Sequence, residues 1–307
     1  MGWFARNPVD VAYVSMLKHD AYAVLGAAGR QGFPVVLRPE GAGLTGDIAW
    51  QAWGRFGRTI ARRCRRADAV VAISPAVRAE LIAAGYDPGK IHDLPNGVPI
   101  PPIPWMRPSA LGNTLRAAFV GRLSPEKGAD TLVAAWPTVL GQIPGARLVL
   151  IGDGPERPRL EAMIRDLGLG EAVTLLGSLP DPSVELRRSD LFVLPSREEG
   201  MSVALLEAMA LRMPIVASDI PGNRALITPG THGRLAPPAD LEALARAIIA
   251  HHRDPAAGPM ARAARAQVEA DYSIAAVARR HLALFERVRA GLPDRVSKGR
   301  RQSRGHR

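Results

Sequence analysis

Short apolar runs of strand length alternate with segments of helical period along most of the chain. In the first hundred residues, the runs VDVAYVS, PVVLRPE and ADAVVAIS predict strands, with helices between them and after Pro75. Beyond residue 113, five further runs predict strands, each followed by a segment of helical period: LRAAFVG, ARLVLIG, AVTLLG, DLFVLP and PIVAS. This alternation is typical of α/β domains built on parallel sheets.

A proline-rich segment separates the two sets of strands. Six prolines occur in PNGVPIPPIPWMRP, from Pro95 to Pro108, and proline continues neither a helix nor the centre of a sheet. We therefore predict a partial N-terminal domain at residues 1–97, a linker at 98–113, a C-terminal domain at 114–290 and a basic disordered tail at 291–307. The last predicted helix, near Ile274 to Arg289, should pack against a domain through its apolar stripe.

Composition indicates a compact protein of two domains. The 307 residues are 47% hydrophobic, and no uncharged apolar run reaches the 18 residues of a membrane span. The N-terminus lacks the order of a signal peptide, so we expect a cytoplasmic protein. The single cysteine, Cys64, has no partner pattern for a disulfide or zinc site, and ordinary packing is the favoured interpretation.

The net charge of +11 is partly local, because residues 291–307 hold six Lys or Arg and one Asp. A basic surface attracts anionic lipid, nucleic acid or a phosphorylated substrate, and charge alone does not choose among them. No nucleic-acid-binding signature accompanies the charge, so we expect no nucleic-acid partner.

The loop GRLSPEKG, residues 121–128, is the first candidate site. It follows the first strand of the C-terminal domain, at the sheet edge where open α/β folds bind ligands. Arg122 offers a rigid fork of donors and Lys127 a mobile point charge, which together suit a diphosphate. Both could instead be solvated surface cations. However, Lys127 is the only lysine across residues 91–297, where every other Lys or Arg position is arginine, so we favour the ligand role.

A pair of glutamates, Glu199 and Glu207, gives the stronger signal. Glu199 and Gly200 follow the strand DLFVLPS in the same loop, and Ser202 can cap the next helix. Glu207 lies about five residues into that helix, roughly 7.5 Å along its axis from the cap. A pyrophosphate at the free amides of the helix would leave a hexose near Glu199 and a ribose near Glu207. The competing interpretation places both glutamates on solvated surface.

Five motifs occur in a specific order along the chain: VAISPAVRAELIAAGYDPGKIHDLPNGV, GRLSPEKG, LVLIGDGPERPRLEAMI, EEG with LLEAMA, and IPGNRAL. From about Pro39 to Phe285 the chain resembles the retaining GT-B glycosyltransferases of the group called family 4. The resemblance implies an α/β GT-B fold of two Rossmann-like domains, the N-terminal one incomplete and the C-terminal one complete. It also implies a UDP- or GDP-sugar donor, a glycan or lipid-linked acceptor, and neither a cofactor nor a catalytic metal.

The resemblance assigns roles to individual residues. Arg122 and Lys127 should hold the donor diphosphate, Glu199 the sugar hydroxyls and Glu207 the ribose, with Arg122, Lys127 and Glu199 as the catalytic residues. Other donor contacts are implied at Gly121, Gly177, Gly200, Met201 and Ser202, with the edge at Leu176 and Gly177 near the base. The leaving phosphate is thought to accept the acceptor's proton, so fixed donors that stabilise its charge are the protein's main contribution.

The N-terminal domain departs from the family pattern. By resemblance about 70 to 90 residues of a Rossmann-like domain are missing before VDVAYVS, so Met1 need not be the true start. A histidine often found after the next matching strand is here Glu40, and His19 in MLKHD is a candidate substitute. A structural or surface role for His19 is the favoured alternative.

Three functions compete at this point. The first is a hexosyltransferase of cell-envelope or exopolysaccharide synthesis. The second is a catalytically impaired fragment that binds nucleotide only or acts as an interaction subunit. The third is a nucleotide-sugar epimerase, which would need positioned acid and base groups.

A predicted helix from Trp50 to Arg66 is amphipathic. It places aromatic and apolar residues near one stripe and arginines near another. Such a helix could hold the protein at the inner face of an anionic membrane. Core packing with a solvated basic face is the favoured interpretation.

Overall fold

A computed structural model describes residues 2–106 and 114–291 of the chain. The chain divides into two compact units. Unit 1 comprises Met1–Leu94 and Ala278–Arg307, and unit 2 comprises Pro95–Val277. Residues 107–113 of the predicted linker and residues 292–307 of the predicted tail lie outside the described residues.

Unit 1 is built on a parallel sheet of four strands in the order β1-β2-β3-β4. The three predicted strands are confirmed, and the short β4 adds a fourth that its sequence, IHD, did not indicate. β3 is buried along its whole length, as expected of a strand covered on both faces. The strands are β1 (Ala12–Ser15), β2 (Val35–Arg38), β3 (Ala69–Ala72) and β4 (Ile91–Asp93).

The helices of unit 1 connect these strands. Ser74 caps α5 by accepting a hydrogen bond from the Val77 amide, and Pro75 occupies the first turn, where its missing N–H is not needed. The helices are α1 (Gly2–Arg6), α2 (His19–Gln31), α3 (Asp47–Trp53), α4 (Gly57–Cys64) and α5 (Pro75–Ala83).

The prediction of one helix from Trp50 to Arg66 is wrong. Helix α3 ends at Trp53, and α4 begins at Gly57 after a turn in which Phe56 adopts a left-handed backbone with φ of 60°. Ile60 and Cys64 are buried as the stripe predicted, whereas Trp53 is 71% exposed and Phe56 is 64% exposed. The break at Gly54 turns the two aromatic side chains away from the core.

Unit 2 is built on a parallel sheet of six strands in the order β10-β9-β8-β5-β6-β7. The five predicted strands are confirmed, and β10 adds a sixth. The order reverses direction between β5 and β8, and ligands of doubly wound sheets bind at such a switch point. The strands are β5 (Arg116–Val120), β6 (Arg147–Ile151), β7 (Val173–Gly177), β8 (Leu191–Leu194), β9 (Ile215–Ser218) and β10 (Arg234–Ala236).

Helices cover the sheet of unit 2. Phe119, Trp136 and Phe192 are fully buried in its core. Among the described residues, no helix of either unit is long and apolar enough to cross a bilayer. The helices are α6 (Ala129–Gln142), α7 (Arg157–Asp166), α8 (Ser183–Arg187), α9 (Val203–Leu211), α10 (Pro221–Arg224), α11 (Leu241–His252) and α12 (Ala257–Gln267).

The start of the proline-rich segment packs on unit 2 and does not run free between the units. The Trp105 indole donates to the Ser189 carbonyl at 2.7 Å, and the Trp105 amide donates to the Leu211 carbonyl. Arg212, in a left-handed conformation directly after α9, donates to the Trp105 carbonyl at 3.0 Å. These contacts explain why unit 2 begins before the predicted boundary at residue 114.

The last predicted helix is present as α13 (Ile274–Ala290). Its residues from Ala278 onward group with unit 1, whereas the predicted C-terminal domain extended to residue 290. His281 and Phe285 of α13 pack edge-on against the ring of Tyr13 in β1. The chain therefore returns to unit 1 after completing unit 2.

Buried His251 predicts a dependence of stability on pH. It lies in α11, is 1% exposed, and has no hydrogen-bond partner for either ring nitrogen within the described residues. Burial lowers its pKa to about 4, and the nearby Arg234 charge adds to the shift. Because the unfolded chain binds a proton below the ordinary pKa of 6.5, the free energy of unfolding should fall by roughly 3 kcal/mol between pH 6.5 and 4.

Denaturant unfolding across this pH range tests the expectation. The substitution His251→Leu should flatten the dependence, whereas His252→Gln, at the neighbouring position of the same helix, should retain it. An unchanged slope in His251→Leu would assign the pH dependence to other groups.

Candidate functional site

The candidate site lies at the carboxyl ends of β5 and β8, the two strands that flank the switch point of unit 2. The loop after β5 carries Arg122 and Lys127. The loop after β8 carries Glu199 and leads into α9, which carries Glu207. Parallel pairing of β5 with β8 therefore brings together residues that are 72 positions apart in the sequence.

Lys127 and Glu199 form an ion pair between these loops. Lys127 Nζ lies 2.7 Å from Glu199 Oε1, and Ser196 Oγ donates to the same oxygen at 2.8 Å. The Glu199 side chain is only 6% exposed and that of Lys127 is 25% exposed. Loss of one partner of such a pair leaves a charge that is largely shielded from water and uncompensated, which is strongly destabilising.

Lys127 and Glu199 can each form further hydrogen bonds with a ligand while they remain paired. An ammonium group has three donors, and Lys127 uses one of them on Glu199. Both side-chain hydrogen bonds to Glu199 end on Oε1, so Oε2 is able to accept from a hydroxyl. The pair can therefore bind an anion through Lys127 and a neutral polyol through Glu199 at the same time.

Arg197 fixes the loop after β8 against the loop after β5. Its guanidinium donates to both carboxylate oxygens of Asp130, at 2.9 and 3.0 Å, and to Thr131 Oγ1 at 3.0 Å. It also donates to the Pro125 carbonyl, and the Arg197 amide donates to the Glu126 carbonyl at 2.7 Å. A planar guanidinium bound on several sides is a rigid connection between two chain segments.

Glycines allow the loops to approach each other closely. A Cβ on Gly128 would lie 2.2 Å from the Pro195 carbonyl oxygen, and Gly128 has a φ of +67°. A Cβ on Gly222 would lie 2.3 Å from the carbonyl oxygen of Glu199. Side chains at these positions would displace the backbone that carries the ion pair.

Helix α9 begins as predicted. Ser202 Oγ accepts from the Leu205 amide at 3.3 Å, which confirms the cap. Asn96 holds the preceding residue, because its side-chain amide donates to the Met201 carbonyl at 3.2 Å. Gly200, Met201 and Ser202 are buried, so the backbone at the start of α9 is fixed.

Glu207 lies on α9 and is half-buried, and its carboxylate makes no hydrogen bond or ion pair with any other described residue. Burial raises the pKa of its carboxyl, and the Asp181 carboxylate nearby raises it further. Burying a carboxylate without a hydrogen-bond partner costs free energy unless a ligand supplies the donors. Carboxylates with a raised pKa of this kind are characteristic of functional sites. Glu207 is therefore available to a ligand.

The remaining predicted donor residues lie on neighbouring strand ends. Arg122 is exposed, and its guanidinium forms no hydrogen bond or ion pair within the described part of the chain. The Gly152 amide donates to the Gly177 carbonyl at 2.8 Å, and a Cβ on Gly152 would lie 1.9 Å from the Gly121 carbonyl oxygen. The ends of β5, β6 and β7 thus pack against one another, which places Gly121 and Gly177 on the same edge of the sheet.

His19 and Glu40 belong to unit 1, at the carboxyl ends of β1 and β2. His19 is exposed and packs edge-on against Trp50, with ring centroids 5.3 Å apart. Glu40 is exposed and forms an ion pair with Arg38. Both side chains contact other residues of unit 1, and neither contact indicates a ligand-binding role.

The residues that hold these loops in place were not among the predicted site residues. Asp47 is buried and accepts from the amides of Leu17 and Glu40, at 2.9 and 2.8 Å, which joins the loops after β1 and β2. Arg197 was not predicted as a structural residue, although its guanidinium donates to Pro125, Asp130 and Thr131. Asn96 could have been predicted, because it lies in LPNGV, the end of the first motif that indicated the family. No local pattern could have indicated Asp47 or Arg197, because Leu17 lies 30 positions from Asp47 and Asp130 lies 67 positions from Arg197.

Two family profiles match the chain. Residues 1–100 match the family described as Glycosyltransferase Family 4, and residues 114–254 match Glycosyl transferases group 1. The lipopolysaccharide core biosynthesis mannosyltransferase of Rhizobium leguminosarum bv. viciae is 33% identical over 273 residues, which cover 83% of this chain and 68% of that protein. The chain belongs to glycosyltransferase family 4. The predicted family is thereby confirmed.

Two further comparisons extend this result. Exopolysaccharide phosphotransferase of Streptomyces coelicolor is 36% identical over 201 residues, or 64% of this chain and 21% of that protein. The crystal structure of Anabaena HepE in complex with UDP and glucose superposes with a TM-score of 0.80 at 23% identity, covering 91% of this chain and 78% of that one. This similarity confirms the predicted GT-B fold. The chain spans only part of the length of the curated proteins it matches.

The close approach at Gly128 predicts a local requirement for glycine. Gly128→Ala should lower the free energy of unfolding by about 2 kcal/mol or more, because the new Cβ meets the Pro195 carbonyl and alanine disfavours positive φ. Gly141→Ala is the matched control, since it lies in α6 with open space around it and should be neutral or stabilising. Equal effects in denaturant unfolding would contradict the assigned role of Gly128.

Proposed function

We propose that this chain is a retaining hexosyltransferase that uses a UDP- or GDP-sugar and a glycan or lipid-linked acceptor. The observation that carries the proposal is the Lys127–Glu199 ion pair at the switch point of unit 2, with ligand-binding capacity left on both partners. One cation and one carboxylate at this place suit the diphosphate and the hexose of a single ligand.

Each part of the donor has a matching group in unit 2. Lys127 and Arg122 bind the diphosphate, together with the first free amides of α9. Glu199 Oε2 accepts from hexose hydroxyls, and Glu207 accepts from the ribose. The backbone at Gly121, Gly200, Met201 and Ser202 lies along the sugar and phosphates, and the β7 end at Gly177 lies near the base.

The proposed chemistry assigns the protein an electrostatic role. As the bond between sugar and phosphate breaks, negative charge develops on the leaving diphosphate, and Lys127, Arg122 and the α9 amides stabilise it. The acceptor hydroxyl attacks the same face of the sugar and gives its proton to the leaving phosphate. No protein nucleophile is needed, and Glu199 orients the hexose.

Named relatives support the class of donor and acceptor. The Anabaena neighbour contains UDP and glucose, and the Rhizobium relative is a mannosyltransferase of lipopolysaccharide core synthesis. We therefore propose a role in cell-envelope or exopolysaccharide synthesis. We also propose that the chain acts in the cytoplasm, with peripheral contact at the inner membrane face, because such acceptors are membrane-linked.

Isothermal titration with UDP and GDP tests the ribose assignment. Glu207→Gln should weaken binding of the preferred nucleotide about tenfold or more, because a hydrogen bond to a charged acceptor is lost. Against the 2′,3′-dideoxy form of that nucleotide, wild type and Glu207→Gln should bind alike, since the ribose hydroxyls are absent.

Glu242→Gln is the matched control, because Glu242 is an exposed carboxylate on α11 whose ion-pair partner is Arg246. It should leave both affinities unchanged. The donor site is refuted if neither nucleotide binds, and the ribose role of Glu207 is refuted if Glu207→Gln weakens the dideoxy nucleotide as strongly as the ribonucleotide.

Product analysis separates the transferase from its alternatives. With donor and a lipopolysaccharide or polyprenyl-linked acceptor, a transferase releases nucleoside diphosphate in proportion to glycosylated acceptor. An epimerase converts the donor sugar with no acceptor present. Nucleotide binding without either product would support the binding-only fragment and contradict the transferase proposal.

A further inference from the structure

The corner between α3 and α4 in unit 1 exposes two large aromatic side chains. Trp53, the last residue of α3, is 71% exposed, and Phe56, directly before α4, is 64% exposed. Two aromatic side chains, three positions apart in the sequence and this exposed, do not gain the free energy that burial would supply. Large exposed apolar groups close together mark interaction surfaces.

The backbone of the turn that exposes both aromatic side chains is strained. Phe56 has a φ of 60°, which is a strained conformation for a bulky residue. The turn is also tight, because a Cβ on Gly54 would lie 2.6 Å from the Trp50 ring and one on Gly57 would lie 2.3 Å from the Gln51 carbonyl oxygen. Strain of this kind persists where the surrounding structure requires it, and functional surfaces are its usual location.

Arginines without carboxylate partners continue the surface along α4. Arg55, Arg58, Arg62, Arg65 and Arg66 are all exposed, and none forms an ion pair with a carboxylate in the described part of the chain. Arg63 differs, because its guanidinium packs over the Tyr22 ring and donates to the Tyr22 carbonyl. Residues 48–67 contain no aspartate or glutamate, so the charge of this face is not neutralised locally.

We propose that this surface, formed by Trp53, Phe56 and the exposed arginines 55, 58, 62, 65 and 66, binds the surface of an anionic lipid bilayer. Arginines attract anionic headgroups, and aromatic side chains at the same edge insert between headgroup and acyl chain. Arg55 already lies over the Phe56 ring, 5.1 Å from its centroid, so charge and apolar group enter the interface together. This surface deepens the membrane contact of the proposed function, on which it rests; because it lies in unit 1, vesicle binding and nucleotide binding in unit 2 can fail separately.

Charge argues against a second copy of the chain as the occupant. In a two-fold symmetric contact the same patch meets itself, which would place unpaired arginines against unpaired arginines. Like charges brought together in this way are repulsive. A lipid surface supplies the opposite charge and an apolar layer beneath it.

Vesicle flotation of the full chain tests the proposal. The protein should float with phosphatidylglycerol–phosphatidylcholine vesicles and not with phosphatidylcholine alone, and salt should weaken the binding. Arg58→Gln with Arg62→Gln should reduce partitioning about 25-fold, at roughly fivefold per arginine. The matched control combines Arg30→Gln with Arg262→Gln, two exposed arginines outside the surface, and should reduce it much less.

Aromatic variants test insertion separately from charge. Phe56→Asn removes the ring and keeps a residue that tolerates positive φ, and Trp53→Gln removes the indole, so both should fold while partitioning several-fold less. Tryptophan emission of the wild type should shift to the blue on anionic vesicles, and Trp53→Gln should lose that shift. The matched control is Ile103→Ala, an exposed apolar residue in unit 2, which should partition as the wild type does.

Four outcomes would overturn the proposal. They are the absence of flotation, equal binding to neutral vesicles, equal loss in the control variants, and self-association of the free chain that the Trp53 and Phe56 variants abolish. A fifth is binding of RNA by the chain that anionic vesicles do not compete away, which would assign the surface to nucleic acid.

Discussion

The ion pair between Lys127 and Glu199 joins the two loops that follow β5 and β8. Its position follows from the topology, because these strands are neighbours across the switch point. Its low exposure makes each partner depend on the other, since either charge alone would be poorly solvated. A ligand that supplies phosphate and hydroxyl groups can add to both partners without separating them.

Other features of unit 2 keep this pair in place. Arg197 ties the two loops through Asp130, and Gly128 and Gly222 permit backbone contacts that any side chain would prevent. Glu207 differs from them because its carboxylate has no hydrogen-bond or ion-pair partner among the described residues and its pKa is raised by burial. Rigid surroundings combined with one unpartnered, desolvated group are what a preorganised binding site requires.

Local patterns predicted the strands well, because apolar runs and the turns between them are properties of adjacent residues. They also indicated Lys127, Glu199 and the Ser202 cap as separate features. Contacts between distant residues could not be predicted, and so neither the Lys127–Glu199 pair nor the role of Arg197 was foreseen. The prediction of a single helix from Trp50 to Arg66 was wrong because the apolar periodicity continues across Gly54. Close packing of Gly54 on Trp50 ends α3 there.

A crystal structure of the chain with a bound UDP- or GDP-sugar tests the central claim most directly. The account predicts diphosphate oxygens within hydrogen-bond distance of Lys127 Nζ, hexose hydroxyls on Glu199 Oε2 and ribose hydroxyls on the Glu207 carboxylate. The Lys127–Glu199 contact should persist in the complex. A nucleotide sugar bound elsewhere, or bound here with its phosphates away from Lys127 and its ribose away from Glu207, would contradict the account.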